Sequence, residues 1–137
     1  MRVFVRRPIS PELLLHCLED EPTSAALRYL AVLPPTWVSL YQVLEVIQDD
    51  MGGKGTLLQT RWISRAALNR FTQTANSPAA VGRAARHGRQ REQPPPTPMT
   101  MEEARSHVLS LVDAWLSSKH ESFGAQETVH QAAANEA

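Results

Sequence analysis

A single cysteine, Cys17, stands among the 137 residues, so no internal disulfide can form, and no Cys/His pairs occur at zinc-site spacing. Nothing points to an oxidising compartment or a structural metal, and the expectation is a cytoplasmic protein without metal or other cofactor. Long apolar runs are missing too. None approaches the roughly 18 residues that a membrane span needs, and the basic start lacks the apolar stretch and small-residue cleavage site of a secretion signal. A protein neither secreted nor membrane-inserted is therefore expected. Chain length excludes a large multi-step enzyme, because a chain of this size supports one core at most.

The most informative scarcity is local. Residues 51–91 contain no Asp or Glu, yet they carry Lys54, Arg61, Arg65, Arg70, Arg83, Arg86, Arg89 and Arg91. The overall formal charge is nonetheless +0, because both flanks are acidic. A block of one sign made almost wholly of arginine favours phosphates, or an acidic surface supplied by a partner or by the chain's own ends.

What is present reads as helix. Arg2 to Arg6 alternates polar with apolar and makes an arm or edge, since one strand without a partner is not stable. Ser10-Pro11 caps a short helix over about 11–19, with Leu13, Leu14, Leu15 and Leu18 as its buried side. Ala26, Leu27, Leu30 and Leu33 mark a second helix, ended by Pro34-Pro35. Thr36 caps a central helix on which Trp37, Leu40, Tyr41, Leu44 and Ile47 form an apolar stripe, stopped by the glycine-rich turn after Met51. That turn lacks the spacing of a phosphate-cradling loop. Ser64 caps a helix through Leu68 and Phe71, and Ser77-Pro78 opens another that runs through Val81 to about Gly88; this basic pair is expected toward the outside. Pro94 to Pro98 is a stiff connector. Thr100 to Glu103 is a capping box opening an amphipathic helix to about Trp115, and from Ser118 a disordered tail is expected. The sum is an all-α fold, a small bundle of five or six helices. Its parts are residues 1–35 (arm and two short helices), 36–117 (the main helical domain) and 118–137 (tail).

One cluster offers chemistry. Arg83 and His87 are four apart and would share a helix face, where an arginine fork holds a phosphate while an imidazole moves a proton. Arg86, Arg89, Arg91 and Arg70 extend the cationic surface, and the Asn76 amide would line the same cleft or simply end a helix. The basic helix ending Arg86-His87-Gly88, the proline-rich loop, and Met99-Thr100-Met101-Glu102-Glu103-Ala104-Arg105 opening a helix that ends Ala114-Trp115-Leu116 resemble the second half of HEPN domains. The preceding helix, Trp37 to Asp50, resembles their long packing helix, so the likeness spans about residues 36–117. It implies a small helical protein, often dimeric, that binds RNA. Many such proteins are metal-independent ribonucleases of bacterial toxin or defence systems, with His87 and Arg83 as the catalytic pair. Here three residues separate the pair, where the family has four to six.

Two other readings stand beside this one. The first is a non-catalytic helical interaction module for an acidic protein partner or a second copy; the second is a DNA-binding regulator using residues 64–88, better suited to phosphate contact than to base reading. Glu103 and His107, also four apart, are too few for a metal site. Trp37, Trp62 and Trp115 are spaced for burial.

Overall fold

The computed structural model describes residues 10–89 and 93–136; the alternating segment Arg2–Arg6 and Arg91 lie outside them. Every element among the described residues is helical: α1 (Pro11–Glu19), α2 (Glu21–Leu30), α3 (Trp37–Asp50), α4 (Lys54–Gln59), α5 (Arg65–Ala75), α6 (Pro78–Val81), a 3-10 turn (Gly82–Ala84) and α7 (Met101–Asn135). The all-α class stands, with seven α-helices and one 3-10 turn among the described residues where five or six helices were expected. No helix among the described residues is long and apolar enough to cross a membrane.

Helix α3 organises the rest because it is apolar on nearly every side that meets protein. It starts at a reciprocal cap in which Thr36 Oγ1 accepts from the Ser39 amide and Ser39 Oγ accepts from the Thr36 amide, both at 3.0 Å. Its residues Leu40, Val43, Leu44 and Ile47 are buried, and α2, α4, α5 and α7 all pack on it. Helix α2 contributes Ala26, fully buried in the same core. Two glycines stop α3: Gly52 at φ 90° and Gly53 at φ 114° take a left-handed backbone that other residues adopt only with strain.

Helix α5 lies deeper than its composition suggests. Leu68, Phe71, Thr74 and Ala75 are buried, so the expected outer placement of this segment is wrong for α5. Its arginines occupy one side only, and the other is an apolar stripe at helical spacing. The proline connector is strapped across it. Met99, itself buried, donates its amide to Thr74 Oγ1 at 3.0 Å.

Helix α7 seals the core with Ala104, Val108, Leu111, Val112 and Trp115. Its Thr100 cap accepts from the Glu103 amide at 3.1 Å. From Ser118 the backbone continues as helix to Asn135, and its described side chains beyond Lys119 are exposed. Alanine and glutamine in that stretch are good helix formers, which favours its continuing as helix. The exit point is anchored. Lys119 Nζ donates to Asp20 Oδ2 at 2.7 Å and pairs with Asp50 Oδ2 at 3.0 Å, and the Trp115 indole N–H donates to that Asp50 oxygen at 2.8 Å. Asp20 in turn caps α2 through Thr23. One lysine thus joins the start of α2, the end of α3 and the middle of α7.

The burial expected for α1 is not observed at three of its four leucines: Leu14, Leu15 and Leu18 are 48%, 59% and 58% exposed, the Leu13 side chain lies outside the described residues, and the half-buried positions are His16 and Cys17.

Candidate nucleic-acid interface

The segment after α5 carries the candidate site, and its backbone decides the geometry. Ser77 caps α6 by accepting from the Ala80 amide at 3.3 Å, as its place before Pro78 predicts. The helix then fails at once. Gly82 takes φ 61°, ψ −135°, one 3-10 turn follows, and Ala85 is extended at ψ 141°. The helix expected to run to about Gly88 therefore stops at Val81, and Arg83 and His87 do not share a helical face. Glycine at position 82 permits the break, since the positive φ costs it little.

Arg86 clamps this loop to the body. Its amide donates to the Ala75 carbonyl at 2.8 Å. Its guanidinium lies 4.1 Å over the Tyr41 ring, donates to Glu45 Oε1 at 2.9 Å and reaches Asn76 Oδ1 at 3.3 Å. Tyr41 stacks on Phe71 with centroids 6.1 Å apart, so the cation caps a column that rises from the core. Tyr41 and Glu45 are one turn apart on α3, which is why one guanidinium meets both. Arg86, expected to face RNA, is a fastener satisfied by its own protein. Asn76 is the end of α5 and serves the same fastening.

His87 is half-buried beside it. Arg86 Nη1 and His87 Nε2 are 2.9 Å apart. A guanidinium only donates, so Nε2 is the acceptor in this contact. The nitrogen lone pair that a general base would use is thereby engaged.

Arg70 is also spoken for. Its Nε donates to the Thr97 carbonyl at 2.8 Å, and Nη2 donates to the Pro98 carbonyl at 3.2 Å and pairs with Glu103 Oε2 at 2.8 Å. It binds α5, the connector and the start of α7 together, and it takes Glu103 out of any pairing with His107. Lys54 donates to the Asn69 amide oxygen at 2.9 Å.

The remaining cations differ. Arg61, Arg65, Arg83 and Arg89 are exposed and meet no carboxylate among the described residues. Arg83 and Arg89 flank His87 on the loop that Arg86 holds in place. The sequence reading did not single out Tyr41, Glu45 or Thr97 as partners; the four-residue spacing of Tyr41 and Glu45 on α3 is the signal available for the first two, and Thr97, which accepts through its backbone, has none. Comparison with protein-family models, with curated proteins and with solved structures finds no match to this chain.

Proposed function

We propose that this chain is a small cytoplasmic RNA-binding module, HEPN-like in layout, that grips RNA by its phosphates and does not cut it. The observation that carries the reading is the pinned loop: Arg86 is tied to Tyr41, Glu45 and Asn76, while Arg83 and Arg89 on either side stay exposed and free of carboxylates. Holding the loop in advance lowers the ordering cost of binding, and two outward arginine forks match phosphate oxygens. Cleavage is disfavoured by two facts. The Arg83 and His87 pairing needed a continuous helix, which ends at Val81, and Nε2 of His87 already accepts from Arg86.

Fluorescence anisotropy with labelled single-stranded RNA across a salt series tests this. Each phosphate contact to a single strand steepens the log–log slope by about 0.7. Arg83→Ala/Arg89→Ala should flatten it by about 1.4 and weaken binding, while His87→Ala should leave binding nearly unchanged and the RNA intact. An unaltered slope in the double variant removes the interface. Cleavage by the wild type that His87→Ala abolishes would restore the ribonuclease reading, and a preference for duplex DNA would favour the regulator.

A further inference from the structure

We infer that the outward side of α1 is a docking surface for an amphipathic helix whose apolar stripe is bordered by lysine or arginine. Leu14 and Leu18 lie one turn apart, and Leu15 widens the stripe beside them, all about half-exposed. Three such leucines within five residues form a contiguous patch, which differs from isolated surface apolar groups. The stripe has one charged border. Glu12 and Glu19 sit one turn to either side of Leu15, both are exposed, and neither pairs with a cation among the described residues. Beyond the other border Cys17 is half-buried, and α1 packs against α2.

This arrangement selects its occupant. An antiparallel second copy of the chain would bring its own Glu12 and Glu19 against the first pair. A helix of nine residues is only about 13 Å long, and its face falls far short of the 1,200–2,000 Å² or so that a stable protein pair buries. A single helix laid along the leucines with cations beside the glutamates satisfies both the apolar and the acidic strip, and such a contact is weak and transient. The surface lies outside the acid-free block, so the inference holds whether or not RNA binds at the other loop.

The test uses the intact chain and a labelled helical peptide of about 18 residues with a leucine stripe, made once with lysine and once with glutamate along the border. The wild type should bind the lysine peptide roughly five-fold or more tightly than the glutamate peptide, since two exposed pairs change from repulsion to attraction. Glu12→Lys/Glu19→Lys should invert that order. Leu15→Asp/Leu18→Asp should abolish binding with the circular dichroism spectrum and melting temperature unchanged. Equal affinity for the two peptides, or no binding to either, overturns the inference. So does a wild-type dimer that the leucine variant dissolves, which gives the face to a second copy, and so does binding seen only after Phe4→Glu, which gives it to the chain's own first residues.

Discussion

Arg61 holds a left-handed backbone, φ 62°, in the turn between α4 and α5, and its side chain is exposed. A residue with a Cβ sits there at a cost of about 1 kcal/mol, and nothing its side chain touches offsets that. Arg61→Gly should therefore stabilise the protein by about 0.5–1 kcal/mol, read as a higher urea midpoint at unchanged slope, whereas Arg61→Val should lower it. Arginine type alone says little about role in this chain. Arg86 is a clamp, Arg70 a staple and Arg83 an open cation, although all three belong to one acid-free run. That run was legible in the sequence. The division of labour within it was not, because the deciding partners, Glu45 and Glu103, come from the flanks and reach the block only through the fold.

At the scale of the element, helix starts were readable where a short polar side chain precedes the apolar periodicity, as at Thr36, Ser64 and Thr100. Helix ends were harder. Gly82 outweighs the helix-forming alanines on either side of it, and α7 runs on to Asn135, well beyond its last buried residue among those described, Trp115. The knot around Lys119 lies at this scale, since it locks three helices by charge. Burial pulls the Asp20 carboxyl up, but hydrogen bonds from Lys119 and Thr23 outweigh it and hold the group below its ordinary value. Burial likewise pulls the Lys119 amine down, and its bonds to Asp20 and Asp50 overcome this and hold it above its ordinary value. A lowered carboxyl stabilises the fold above its unfolded titration and loses that contribution as pH falls through the folded one; a raised amine does the reverse in alkali. The melting temperature should hold across neutral pH, fall below about pH 4 and fall again above about pH 10. Lys119→Met should cost about 1–2 kcal/mol at pH 7 and shrink both declines, measured by thermal melts across pH.

For the whole molecule, α3 is the element whose loss the fold cannot absorb. Ile47 is fully buried on it, and Ile47→Ala should cost about 3 kcal/mol, a large share of the 5–15 kcal/mol or so typical of a domain. Thermal unfolding should show a drop of about 10–15 °C. Leu109→Ala, at a position 43% exposed, should stay within about 0.5 kcal/mol. The helix that closes the core lies far from α3 along the chain: about fifty residues separate the end of α3 from the start of α7. Closing that loop costs entropy before any burial repays it, so the chain folds more slowly than a bundle built from sequence neighbours. Until α7 arrives, the core it shares with α3 lacks one wall, and a chain interrupted before Met99 keeps that gap for good. Such a species is the one that self-associates or recruits a chaperone, which ties the solubility of this protein to the integrity of its last long helix.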